Sequence, residues 1–333
     1  MHKPEISLFH HPTTTVFVDD SEEFLYSIAL GVDRLPYRSF CNPSQGLAYV
    51  NHFATAYNAP SHRQGASSSA SVNKLFAQVE RKLNDHNRFA EPSVLVVDYS
   101  MPSINGLDLC SQITNPNVKK VLLTGVADEK IAIDALNTEL IDFYISKSES
   151  SLSHRLRNII IHLETRYFQD LFGWGRDAEV RNVLPHLFDP DFADFFEDTM
   201  ERMAIVEHYP LADPNGFCLI NGYGVTNHLI VYSAEELVSI LSRVDQSGLS
   251  SAMRKRLDDH KLIPYAPRAA ASTALAENDL FTPTVINGKQ TYYCALVENH
   301  HLDQAVQSNR TTYHQFLKTP PSHFHQTDDG KRQ

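Results

Sequence analysis

Long apolar runs are missing from this 333-residue chain. None approaches the ~18 uninterrupted apolar residues that a membrane-spanning helix needs. The stretch from Met1 to Thr15, with three histidines and two prolines, lacks the apolar centre of a secretory leader. These absences lead us to expect a cytoplasmic protein with no membrane partner. Cysteine is scarce: Cys41, Cys110, Cys218 and Cys294 lie far apart and form no CxxC pair, so neither a zinc site nor a disulfide framework is suggested. Glycine is scarce too, at 13 residues with no glycine-rich phosphate loop, which argues against a nucleotide kinase or cyclase. No GxSxG elbow marks a nucleophilic serine.

Positive charge is also in deficit, with 29 Lys and Arg against 40 Asp and Glu, for a net charge of −11. Such a surface does not, as a whole, neutralise nucleic-acid phosphates. The best basic patch, Arg254-Lys255-Arg256 with Lys261 and Arg268, is interrupted by Asp258 and Asp259, as on a solvated helix face. Nucleic acid stays open as a partner without being indicated by charge. His300-His301 and the pair His323 and His325 have no framing carboxylates or cysteines, and read as adventitious or tail residues. What is present is the composition of a folded protein, 42% hydrophobic and 21% charged. At ~150 residues per domain, the length suggests two domains.

Thr15 to Val18 is a short apolar run that stops at Asp19-Asp20, and Ser21-Glu22-Glu23 then opens a helical pattern through Phe24, Leu25, Ile28 and Leu30. A weaker strand near Tyr37 to Cys41 and a helix from about Ser44 to His52 follow. Next comes a stretch, Thr55 to Ser71, rich in Ala, Ser, Pro and Asn, and an amphipathic helix from Val72 to about Asn87; together these read as an insertion. Val94 to Val97 ends at Asp98, Val121 to Leu123 ends at Thr124, and Phe143 to Ile145 ends just before Lys147. Apolar runs without polar alternation, separated by helices, predict a doubly wound α/β domain on a parallel sheet.

In such a sheet the polar site lies beyond the carboxyl ends of the strands. Asp19, Asp20, Asp98, Thr124 and Lys147 would meet there. Three crowded carboxylates repel, and either one takes up a proton or they share a hard cation such as Mg²⁺. Any one of these residues is as well read as a helix cap or a loop residue. The surrounding words decide otherwise. Val18-Asp19-Asp20, Asp98-Tyr99-Ser100-Met101-Pro102 with Gly106, Leu122-Leu123-Thr124-Gly125 and Tyr144-Ile145-Ser146-Lys147 resemble, in order and type, the receiver domains of two-component response regulators.

The resemblance implies a flavodoxin-like fold over about 14–150 with an insertion near 55–88. It implies Asp98 as the phosphorylation site, Asp20 as direct Mg²⁺ ligand, Asp19 acting through water and the Ser100 carbonyl as a further ligand. It also implies Thr124 as switch hydroxyl, Tyr144 as the aromatic that reports the state, Lys147 as the cation facing the phosphoryl group, and a sensor histidine kinase or phosphotransfer protein as partner. The sequence departs from the family in having Ser148, where proline is usual, after Lys147. A trans Lys147–Ser148 bond is expected, since a non-proline cis bond costs about 3 kcal/mol.

Leu152, Leu156, Ile159, Ile160, Leu163, Tyr167, Phe168 and Leu171 recur at helical spacing, which predicts a helix that leaves the receiver. Its stripe is expected to pair with a second copy, so 151–204 is read as a helical linker and dimerisation segment, Asp177 to Met203 continuing mainly helical. Over 205–318 three strands, two helices and two further strands about Asn287-Gly288 predict an α+β output domain with an antiparallel sheet, PAS-like by analogy. The remainder, 319–333, reads as a flexible tail. Lys119 to Gly125, Ala127 to Lys130 and Tyr292 to Val297 are similar to a group of bacterial regulators, quorum-sensing ones among them, whose output domain is uncharacterised. The reading is therefore a phosphorelay switch with no enzymatic output. The alternatives are transcription control through the C-terminal domain and a dimeric scaffold that works without phosphorylation.

Overall fold

The computed structural model describes residues 6–32, 35–53, 68–125, 128–171, 178–267, 274–298 and 310–318. The described residues fall into two compact units. One draws on 12–61, 87–172 and the stretch from 315; the other draws on the residues up to 11, 62–86 and 173–314. Each is a layered α/β body.

The first unit holds β1 (Thr14–Val18), α1 (Glu22–Gly31), β2 (Tyr37–Phe40) and α2 (Pro43–His52). The chain then passes through α3 (Ser68–Leu83), which belongs to the other unit. It returns for β3 (Pro92–Asp98), α4 (Gly106–Ser111), β4 (Lys119–Thr124), α5 (Glu129–Asn137), β5 (Phe143–Ser146) and α6 (Leu152–Asp170). All five strands are parallel, in the order β2-β1-β3-β4-β5. This is the doubly wound flavodoxin-like sheet expected of the sequence. Every residue of β1 and β3 is buried, which accounts for the absence of polar alternation in those runs.

One face of the sheet packs Phe17, Val94, Val96, Val121 and Ile145 against Leu25 and Ile28 of α1 and Leu152, Leu156, Ile160 and Leu163 of α6. Much of the α6 stripe is thereby covered from within the chain. Leu152, Leu156, Ile160 and Leu163 complete this unit's own core, and α6 ends within the unit at Asp170. Lys119, at the start of β4, reaches Asp170 at 2.6 Å and so ties the helix end down.

The second unit contains α7 (Ala178–Val183), α8 (Pro190–Arg202), β6 (Ile205–Ala212), β7 (Asn215–Asn221), β8 (Thr226–Ser233), α9 (Ala234–Leu241) and α10 (Ser251–Asp258). The pair β9 (Ile263–Pro264) and β10 (Leu280–Phe281) follows, then β11 (Thr284–Asn287) and β12 (Thr291–Glu298). Its five-stranded sheet is antiparallel, in the order β11-β12-β8-β7-β6. Alternate side chains serve two cores: Ile230, Tyr232, Ala295 and Val297 meet Leu237 and Ile240 of α9, while Phe217 and Tyr292 meet His186 and Phe192.

Three local departures from the sequence reading have simple causes. The single strand expected over Leu280 to Ile286 is split into β10 and β11, because Pro283 has no N–H to continue a ladder. Helix α10 stops four residues early, where His260 takes a positive φ and the Lys261 and Leu262 amides turn back to the Arg256 carbonyl. Helix α3 packs on β6 and α7, so the insertion is built into the C-terminal unit. The N-terminus contributes to that unit as well: His10 and His208 exchange both backbone hydrogen bonds, at 3.0 and 2.9 Å, along the edge of β6.

Candidate functional site

The site forms because β1, β3, β4 and β5 run parallel and end together. In β1 the backbone continues to Asp19, whose amide donates to the Phe40 carbonyl, and Asp19 Oδ1 accepts from the Ser21 amide at 2.9 Å. Ser21 is the N-cap of α1, its hydroxyl accepting from the Phe24 amide. Asp98 is the last residue of β3 and Thr124 the last of β4. The Lys147 amide donates to the Thr124 carbonyl at 2.9 Å, which locks the chain just past β5 beside β4. Gly106 opens α4 so close to β3 that a β-carbon there would lie 2.3 Å from the Asp98 carbonyl oxygen. No side chain fits at that point.

The carboxylates of Asp19, Asp20 and Asp98 each offer an oxygen within 4.8 Å of the others. Asp19 and Asp98 are buried and Asp20 is exposed, so the cluster opens to solvent on one side. Lys147 Nζ lies 2.7 Å from Asp19 Oδ2 and 2.8 Å from Asp98 Oδ1. Lys147 is thus the partner of that buried Asp19 oxygen. Burial pushes the Asp19 carboxyl above its ordinary range; Lys147 and the Ser21 amide pull it back, and the Asp98 charge adds to the rise. For Lys147, burial works against the charge, but Asp19 and Asp98 more than offset it and hold the ammonium above its ordinary value. Two buried carboxylates beside an exposed third, with oxygens this close together and an open side, make a donor set that fits a hard divalent cation.

The remaining predicted residues take distinct places. Thr124 is buried at the site end of β4. Ser100 is exposed, two residues beyond Asp98. Tyr144 is half-buried and lines a groove of about 370 Å³ with Glu129, Phe143, Glu149 and Arg155. The Lys147–Ser148 peptide is trans as expected, and Ser148 turns back so that its hydroxyl lies 2.8 Å from Ser146 Oγ. Sequence reasoning missed Phe24, whose ring centroid lies 4.5 Å from Lys147 Nζ. No pattern in the sequence links positions 24 and 147.

Other candidates do not assemble. Arg254 is spent on the carbonyls of Leu249 and Ser247, and Lys261 pairs with Asp259, so two cations of the basic patch are taken up locally. Arg268, His300, His301, His323, His325 and the expected tail lie outside the described residues, as do Thr55 to Ser67 of the insertion and Asp177. Among the described residues no helix is long and apolar enough to cross a membrane.

A parallel five-stranded sheet thus carries three carboxylates, a threonine and a lysine at its strand ends, the arrangement expected of a response-regulator receiver domain. The family model for the response regulator receiver domain matches residues 67–157, which takes in Asp98, Thr124 and Lys147 and begins after the acid pair. Over the whole chain the structure is similar to that of the Legionella pneumophila response regulator LqsR, at 28% identity and a TM-score of 0.74, covering 96% of this chain and 97% of that one. The C-terminal unit is thus part of the likeness. A CheY-like receiver domain protein from Methanospirillum hungatei aligns at 18% identity, covering 46% of this chain and 96% of its own, with a TM-score of 0.31. A receiver domain protein from Clostridium thermocellum aligns at 19%, covering 46% and 95%, also with a TM-score of 0.31; neither carries weight beyond the first. No curated protein matches.

Proposed function

We propose that this response regulator is a phosphorylation switch in which Asp98 accepts a phosphoryl group from a histidine kinase or phosphotransfer protein. The observation that carries the reading is the Lys147 ammonium held 2.7 and 2.8 Å from two buried carboxylates beside an exposed third. An oxygen of Asp98 attacks the donor phosphorus. The new O–P bond forms as the P–N bond to the donor imidazole breaks, the imidazole leaving with the bonding pair, and the product is a mixed anhydride. Asp19, Asp20, Asp98 and the Ser100 carbonyl would hold Mg²⁺, which when bound supplies positive charge against the phosphoryl oxygens. Lys147 keeps a second cation on that group, and the Thr124 hydroxyl donates to one of its oxygens. Attack by water on phosphorus later releases phosphate and restores the carboxylate.

The added charge is read by Thr124 and Tyr144, and the output is a changed set of contacts made by the C-terminal unit, a second copy of the chain among them. Intact mass after incubation with acetyl phosphate and Mg²⁺, in wild type and Asp98→Asn, tests the proposal. One added phosphoryl group in wild type alone is the expected result. An unmodified wild type, under conditions that modify another receiver, would leave a phosphorylation-independent scaffold as the better reading.

A further inference from the structure

We infer that Phe24 is a positioning residue, holding the Lys147 ammonium over the acid cluster through its aromatic face; this rests on the phosphorylation reading above. Lys147 needs such a restraint. Its side chain is 27% exposed and has four rotatable bonds. The chain beyond it is held by a serine turn, the Ser148 amide donating to Ser146 Oγ at 3.3 Å and the two hydroxyls lying 2.8 Å apart. Both carboxylates that grip Lys147 also belong to the set that fits a divalent cation. A cation drawing on Asp19 and Asp98 weakens their hold on the lysine, whereas the Phe24 ring is independent of that competition.

The ring is itself well placed to act as a fixed support. Asp19 Oδ1 accepts from the Ser21 amide and Ser21 Oγ accepts from the Phe24 amide, so the N-cap of α1 ties the ring to the acid pair within one turn. Phe24 also packs against the core that holds Leu25 and Ile28. Lys147 Nζ therefore has a carboxylate on two sides and an aromatic face 4.5 Å away on a third. An ammonium that is partly shielded from water is where the ring quadrupole acts most strongly.

The test uses the full-length chain and two readouts: the rate of phosphorylation by acetyl phosphate with Mg²⁺, and calorimetric affinity for beryllofluoride, a phosphoryl mimic. In the first reaction Asp98 attacks phosphorus and acetate leaves with the electron pair of the broken P–O bond. Phe24→Leu and Phe24→Met are expected to lose about 3- to 30-fold in both readouts, while Phe24→Tyr, which keeps the π face, stays within about twofold of wild type. In a Lys147→Ala background Phe24→Leu is expected to cost nothing further in beryllofluoride affinity. Wild-type behaviour of both Leu and Met variants, or a Leu penalty that persists without Lys147, overturns the inference and leaves the phosphorylation reading standing. A wild type that neither gains a phosphoryl group nor binds beryllofluoride takes down the phosphorylation reading and this inference with it. Should Phe24→Leu unfold, the contrast between Met and Tyr decides alone.

Discussion

Few positions in the receiver are as constrained as Gly106. A β-carbon there would meet the Asp98 carbonyl oxygen at 2.3 Å, and the opposing atom is backbone that cannot rotate away. Gly106→Ala is expected to cost about 1–3 kcal/mol by overpacking, and to slow phosphorylation by displacing the end of β3; thermal unfolding that matches wild type would contradict this. The buried histidines of the C-terminal unit set a different sensitivity. Burial pushes His186 down to about 3, and burial with the nearby His10 does the same to His208 against the opposing bond to the Ser7 carbonyl. Both folded values lie below that of the unfolded chain, so as pH falls the unfolded state takes up protons first. Stability is then fully present above about pH 6.5 and is lost as pH falls toward about 3. Each histidine contributes a loss on the order of 2 kcal/mol between pH 6.5 and 5. Unfolding temperature should drop from pH 7 to pH 5 in wild type and drop less in His186→Leu; equal drops would show that His186 is not a source of the acid lability.

Helix α6 shows what a periodic stripe does and does not reveal. Leu156, Ile160 and Leu163 are buried in the receiver core, whereas Ile161 is 40% exposed. Leu156→Ala is therefore expected to destabilise by about 2–5 kcal/mol, and Ile161→Ala to stay within about 0.5 kcal/mol of wild type. Denaturant titration separates the two, and a Leu156→Ala variant that dissociates a dimer at unchanged stability would restore the seam. The stripe was legible in the sequence; its destination was not, because helical spacing records that a face is apolar and not which surface covers it. The strand-end residues were legible for the opposite reason. A strand buried on both faces must exhaust its apolar run before a carboxylate can appear, so Val18-Asp19, Val97-Asp98 and Leu123-Thr124 mark the ends of elements and the site at once. Phe24 and the His10 bridge to β6 were hidden, because each depends on a contact between residues more than a hundred positions apart.

At the scale of the whole molecule, the chain weaves between its units. Segments from the N-terminus, from 62–86 and from 173–314 build one of them. A fragment cut at residue 205 would keep the antiparallel sheet but lose the His10 bridge along β6, the α3 cover on that strand and the aromatic face supplied by His186 and Phe192. It is expected to be unstable or aggregated where the full chain is folded, and cooperative unfolding of the fragment near the temperature of the intact protein would contradict the interleaved arrangement. The central claim concerns a single oxygen on Asp98, and borohydride trapping tests it most directly. After treatment with acetyl phosphate and Mg²⁺, reduction converts an aspartyl phosphate to homoserine, which peptide mass mapping locates. Homoserine at position 98 alone is the predicted result. Homoserine at Asp19 or Asp20, or none in a chain that has gained a phosphoryl group, would contradict the account.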